Sequence, residues 1–168
     1  MLVDMVRLLL FPSLMAFAAA SDLLTMTISN RVSLLLVAGF LVLALASGMS
    51  LPDIGSHLGA AGLVLAVSFG CFACGWIGGG DAKLAAATAL WLGFGYLVTY
   101  LLYASLLGGA LTLLLLQFRM VPLPALLAGR AWAQRLHRQG GEVPYGIALA
   151  CAGLLIYPET PWMKALGL

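Results

Sequence analysis

Six acidic side chains supply all the side-chain carboxylates of this chain: Asp4, Asp22, Asp53, Asp81, Glu142 and Glu159. Asp22 and Asp81 stand apart, because each abuts the end of an apolar run. A carboxylate at the edge of a hydrocarbon layer is costly to keep ionised, which makes it a functional candidate. Two carboxylates brought close cannot both ionise cheaply, so they share one proton. The charged member can take a proton from water, and the neutral member can protonate a scissile carbonyl or a leaving amine. Such a pair hydrolyses a peptide bond with neither a metal nor a covalent intermediate. Water must reach it, which suits a site near the membrane interface.

Capping is the competing role. Asp81 directly precedes Ala82-Lys83-Leu84-Ala85, a favourable helix start, and an aspartate there can accept backbone N–H groups. Asp22 can cap a turn in the same way. Three glycines, Gly78, Gly79 and Gly80, stand before Asp81 and allow close backbone approach, which favours chemistry over a simple cap. Asp4 and Glu159 lie near the termini. Asp53 follows Pro52 in an expected loop, where a turn role is sufficient. The chain offers no Ser–His–Asp arrangement. Cys71 and Cys74 form a CFAC step with no second pair and no nearby histidine, and with Cys151 they read as small buried hydrophobes. No metal or other cofactor is expected.

The elements that must position these residues follow from composition. Of 168 residues, 63% are hydrophobic and 8% charged, with a mean hydropathy of +1.09. Soluble domains run near 45–50% apolar and about 25% charged. The fold class expected is therefore an all-α membrane protein, a single domain over 1–168 with room for about six spans. A net charge of +2 is too small to suggest nucleic acid. Six apolar segments can be drawn, over 5–21, 32–47, 58–77, 82–92, 95–118 and 143–157. The fourth and sixth are short for a full span, and the fourth is expected to be tilted or shielded by its neighbours. The run ending in Ala18-Ala19-Ala20 has the look of a signal peptide, but Asp4 offsets Arg7 and further spans follow at once. A retained first helix is expected.

The connections fall at 21–31, 48–57, 78–81, a very short turn near Gly93, and 119–142. Arg31, Lys83, Arg119, Arg130, Arg135 and Arg138 lie in the odd-numbered loops, and Arg7 and Lys164 on the other side. Six against two places the odd loops in the cytoplasm by the positive-inside rule, with both termini outside. Asp22 and Asp81 then share the cytoplasmic face. Projected at about 100° per residue, Ala125, Ala128, Trp132 and Leu136 share one arc, with Arg130, Arg135, His137 and Arg138 on the other. A short basic amphipathic helix is expected there, as a topology anchor on the anionic inner leaflet or a docking surface for substrate.

These residues resemble a known family. Gly78-Gly79-Gly80-Asp81-Ala82-Lys83-Leu84 is similar to the GxGD-x-K segment of the prepilin leader peptidases, the GxGD-type intramembrane aspartyl proteases. Asp22 followed by Ile28-Ser29-Asn30 resembles the family's first-aspartate segment, which ends in Ile-Pro-Asn. Pro144-Tyr145-Gly146 resembles its Pro-aromatic-Gly step at the start of a late helix. Ser29 replaces the usual proline, so the turn after Asp22 is less rigidly set. The larger bifunctional members carry a cytoplasmic insert with paired cysteines and also N-methylate the mature pilin. This chain has no such insert, and so looks like the compact, peptidase-only form of tight-adherence (Flp) pilus systems.

The resemblance implies Asp22 and Asp81 as catalytic residues. The partners implied are a prepilin with an N-terminal hydrophobic helix and the bilayer of a bacterial inner membrane. Cleavage is expected after a glycine, on the cytoplasmic side of that helix. Gly78, Gly80, Pro144, Tyr145 and Gly146 are expected to support the site. Lys83 points roughly 200° away from Asp81 on a helix, toward lipid head groups or an acidic group on the substrate. Asn30 is expected to cap the second helix or to orient Asp22. A small ion- or proton-coupled transporter is the alternative, since carboxylates and a glycine-broken helix suit that too. A structural subunit whose aspartates are only caps is a third class.

Overall fold

The computed structural model describes residues 2–164, and among these every regular element is helical. In chain order they are α1 (Leu2–Thr25), α2 (Asn30–Ala46), α3 (Leu51–Ala73), α4 (Gly79–Met120), α5 (Ala125–Ala128), α6 (Ala131–His137), α7 (Tyr145–Ile156), a 3₁₀ turn (Tyr157–Glu159) and α8 (Pro161–Lys164). Three helices are long and apolar enough to cross a membrane: α1, α3 and α4. α2 and the stretch from Tyr145 to Glu159 are apolar but shorter.

α4 is one continuous helix in name only. At about 1.5 Å per residue its 42 residues would reach roughly twice the ~30 Å hydrocarbon thickness. Gly93, at φ 66° and ψ −179°, takes the chain off the helical path, as the short turn expected near it requires. The break frees carbonyls of the preceding turn, and each needs another donor. His57 Nδ1 bonds Leu90 O at 2.7 Å, and Trp162 Nε1 donates to Trp91 O at 2.9 Å. Only glycine fits the turn itself: an added Cβ would stand 2.9 Å from His57 Cε1, on a positive φ.

The first arm of α4, residues 79–92, is the centre of the bundle. Ala82 and every residue from Leu84 to Leu92 are buried, which is why a segment too short to face lipid along its whole length suffices there. α3, α7 and α2 pack around α4, and α1 packs on α7 and α2. α1 supplies Phe11, Met15 and Ala18 to the core, all fully buried. An aromatic cluster of Phe11, Phe40, Trp91, Tyr157 and Trp162 closes the end nearest the Gly93 break. Trp91 is tied there by its Nε1, which donates to Leu36 O at 2.9 Å.

Three boundaries differ from the hydropathy pattern. α1 runs on to Thr25, so Asp22 lies inside its last turn rather than in a loop. α3 begins at Leu51, seven residues before the apolar run, because Ser50 is its N-cap and Pro52 sits in its first turn. Asp53 is therefore a helical residue: Ser50 Oγ donates to Asp53 Oδ2 at 2.5 Å and accepts from its backbone N–H. The basic stretch 125–138 is not one helix but two short ones, interrupted at Gly129 and Arg130. Ala133 and Leu136 are buried against the bundle, while Leu126 is almost wholly exposed.

Candidate active site

Three segments remote in sequence meet at one end of the bundle. α1 ends in a left-handed turn at Met26 (φ 55°), with Met26 N donating to Asp22 O at 2.8 Å. The chain then runs back past Ile28 into α2, whose N-cap is Ser29. Gly80, in the first turn of α4, packs on this segment: an added Cβ there would stand 3.2 Å from Ile28 Cβ. Gly146, in the first turn of α7, packs on its other side. An added Cβ would stand 2.5 Å from Ile28 Cδ1 and 2.7 Å from Asp22 Oδ2. Ile28 is thus a wedge between two glycines, with no room for a Cβ at Gly146 and only a tight fit for one at Gly80.

Asp22 is 5% exposed and accepts from Gly146 N at 2.7 Å. The Gly146 N–H is an orphan donor of the α7 N-terminus, where the N-cap residue, Pro144, has no side-chain acceptor to offer. Asp22 fills that place from another helix, and the positive end of the α7 dipole faces its charge. Capping is therefore real at Asp22, but it is a tertiary cap and not a local one.

Asp81 is the third residue of α4, and the N-cap is Gly78 rather than Asp81. Its carboxylate turns back toward Gly78, where an added Cβ would stand only 3.0 Å from Oδ2. Asp81 and Asp22 are close enough for their charges to interact, and Glu142 acts on both. The arrangement is two carboxyls at one end of the bundle, Asp22 buried and Asp81 half-buried, on segments that both pack against Ile28. Chemically it can share a proton and polarise water.

The supporting residues fall into two groups. Gly78 lies against Asp81 and Gly146 against Asp22, while Gly80 packs on Ile28 and Pro144 is the N-cap of α7. Lys83, Asn30 and Tyr145 make their contacts elsewhere. Lys83 Nζ donates to Asn30 Oδ1 at 2.8 Å on the exposed surface, so Asn30 neither caps α2 nor touches Asp22. Tyr145 turns its ring onto Gly108 in the second arm of α4. Ile28, Glu142 and Arg119 are not among the site residues expected from sequence. Ile28 had a signal, since it lies in the segment that follows Asp22. Arg119 had none beyond being a cation at an apolar helix end.

Among the described residues no three or more His, Cys, Asp and Glu side chains are grouped to hold a metal ion. Cys71, Cys74 and Cys151 are free thiols. A cavity of about 390 Å³, lined by Asp53, His57, Gly93 and Tyr96 among others, lies at the opposite end of α3 from the carboxyl pair.

Fold and site together define an all-α membrane protein with a pair of carboxyls at one end of its bundle. Residues 9–113 match the type IV leader peptidase family. The chain belongs to that family, and it is a peptidase that acts on prepilin leader peptides. The matched residues include Asp22, Ile28, Gly78, Gly80 and Asp81, whereas Gly146 lies beyond them. Comparison with curated proteins and with solved structures gives no match.

Proposed function

We propose that the chain is an aspartyl endopeptidase of the bacterial inner membrane, with Asp22 and Asp81 as its dyad. It removes the leader from Flp-type prepilins at the cytoplasmic face, and it transfers no methyl group. The observation that carries this reading is that the segments bearing Asp22 and Asp81 come together at one end of the bundle, where Gly80 and Gly146 both pack on Ile28. Ile28, wedged between Gly80 and Gly146, supports it by holding the three segments together.

In the reaction, the ionised carboxylate takes a proton from water, whose oxygen bonds to the scissile carbonyl carbon. The protonated carboxyl gives its proton to the carbonyl oxygen. The resulting gem-diol collapses as one of its hydroxyls gives its proton to the free carboxylate, the C–N bond breaks, and the leaving amine takes the other carboxyl's proton, which returns the dyad to its starting state. The six-to-two distribution of basic residues supports a cytoplasmic site, because Arg31 and Lys83 flank the segments that bear the pair. The compact chain, without a paired-cysteine insert, supports a peptidase-only enzyme.

The test uses purified Asp22→Asn and Asp81→Asn variants in liposomes with a synthetic prepilin. Asparagine keeps the shape, and at position 22 can still accept the Gly146 N–H, but it cannot take up and release a proton. Near-complete loss of cleavage in both variants is expected. Substantial turnover by either one sinks the dyad.

A further inference from the structure

Arg119 ends the last turn of α4, where a cation ordinarily snorkels to water. Instead it is 9% exposed. Its Nε donates to Leu136 O at 2.8 Å and its Nη2 to Glu142 O at 2.8 Å. Both acceptors are backbone carbonyls, and they stand on either side of the turn that follows α6. A planar guanidinium presents these divergent donors in one rigid fork, which a lysine cannot do. Gly141 keeps the turn tight around it: an added Cβ would stand 3.0 Å from Arg138 O and 3.5 Å from Arg119 Nη2.

The held segment leads directly to the carboxyl pair. Two residues after Glu142 comes Pro144, whose ring fixes φ and removes a donor. Two residues further, Gly146 donates its N–H to Asp22. A second tether grips the same segment from α1, since Arg135 Nη2 donates to Leu24 O, two residues past Asp22. The basic loop is thus fastened to α4 by Arg119 and to α1 by Arg135.

We propose that Arg119 is a positioning residue for the reaction: by clamping 136–142 to the end of α4, it holds the Gly146 N–H on Asp22. The proposal rests on the dyad reading for its catalytic consequence, but not for its structural one.

The test is Arg119→Gln and Arg119→Lys in the full chain, reconstituted in liposomes. Cleavage is resolved into kcat and KM, and Gly146 amide exchange is followed by hydrogen–deuterium exchange. Both variants should lose kcat by about a hundredfold, as expected for a displaced catalytic group. KM should change by less than about twofold, and Gly146 exchange should accelerate. Restoration of kcat by lysine would show that charge alone suffices and overturn the proposal. So would a raised KM at preserved kcat, which marks substrate binding, or an unaltered Gly146 exchange rate. Should the Arg119 variants fail to insert, Gly141→Ala displaces the same segment with the guanidinium intact. It should lower kcat in the same direction, and an unchanged kcat there overturns the proposal. If Asp22→Asn cleaves normally, the dyad reading fails, and Gly146 exchange in Arg119→Gln still decides whether the clamp exists.

Discussion

Gly146 N–H reaches Asp22 Oδ2 at 2.7 Å across 124 residues of sequence. This bond joins the last turn of α1 to the first turn of α7, and it fixes one carboxyl of the pair by a group that is not itself acidic or basic. Asp81 has its own local contact, its Oδ2 lying 3.0 Å from where a Gly78 Cβ would stand. The two aspartates are thus oriented independently and meet only through the packing of α1, α4 and α7.

A pair that works as one unit has non-additive losses. The Asp22→Asn/Asp81→Asn double variant should therefore be no slower than either single variant, within the residual rate. Asp53→Asn is the control, since Asp53 sits in the first turn of α3 at the opposite end of that helix from Asp81. Its kcat should be unchanged. Turnover of a synthetic prepilin by the four purified variants measures this, and a double variant slower by the product of the two single losses contradicts a shared unit.

Gly146→Ala should reduce cleavage by about a hundredfold, because its Cβ must displace the Asp22 carboxylate, 2.7 Å away. Adding Ile28→Val removes the Cδ1 atom that also obstructs that Cβ, but leaves the carboxylate in the way. It should not rescue activity. Gly80→Ala meets Ile28 Cβ and backbone at 3.2–3.6 Å and should be impaired less than Gly146→Ala. Cleavage assays on the three variants check the order, and a Gly146→Ala protein as active as the parent contradicts the wedge.

Chelators should leave cleavage intact, and so should serine in place of Cys71, Cys74 and Cys151 together. The carboxyl chemistry proposed needs no metal ligand and no thiol. Loss of activity in EDTA with recovery on adding zinc would show that the site has been misread. S-adenosylmethionine should yield no methylated pilin.

The Gly93 break is structural, so damage there should appear as instability and not as slow chemistry. His57→Ala and Trp162→Phe each leave a carbonyl without its side-chain donor, at a cost of about 1–3 kcal/mol. Gly93→Ala adds positive-φ strain of about 1–3 kcal/mol and a contact with the His57 ring. Thermal unfolding in detergent should show all three losses, with kcat per folded molecule preserved. A selective loss of kcat would tie this end of the bundle to the reaction.

Orientation can be read with reporters. One inserted within 125–138 should report the cytoplasm and one at Asp53 the opposite side, following the basic residues. The reverse result would put the carboxyl pair on the wrong face for a cytoplasmic cut.

Hydropathy made the helices legible because lipid exposure leaves long apolar runs, and Gly93 was legible because it separates two of them. Polar residues inside helices hid the remaining boundaries. Ser50, Pro52 and Asp53 form a helix-start pattern that an apolar run beginning at Leu58 obscures. Asp22 and Asp81 were legible as carboxylates at the ends of apolar runs. Their partners were not, since which backbone N–H groups lack an acceptor depends on how α7 docks. The same holds for Arg135. Helical projection set it on a polar face, but the nearest carbonyl awaiting a donor was Leu24 O, on a helix 111 residues away. Lys83 likewise points away from Asp81 as its position in the helix requires, yet only the fold brings Asn30 to it.

The reach of Gly146 back to Asp22 also orders events during biosynthesis. Helices enter the membrane as the ribosome delivers them, so α1 and α4 are in place while α7 is still being made. Until then Asp22 lacks the N–H that orients it, and Ile28 has a neighbour on only one side. The nascent chain carries both carboxyls but cannot hold them as a pair. On the proposed dyad reading, hydrolytic power arrives only with α7. A chain stopped before Pro144 should insert its first helices and cut nothing.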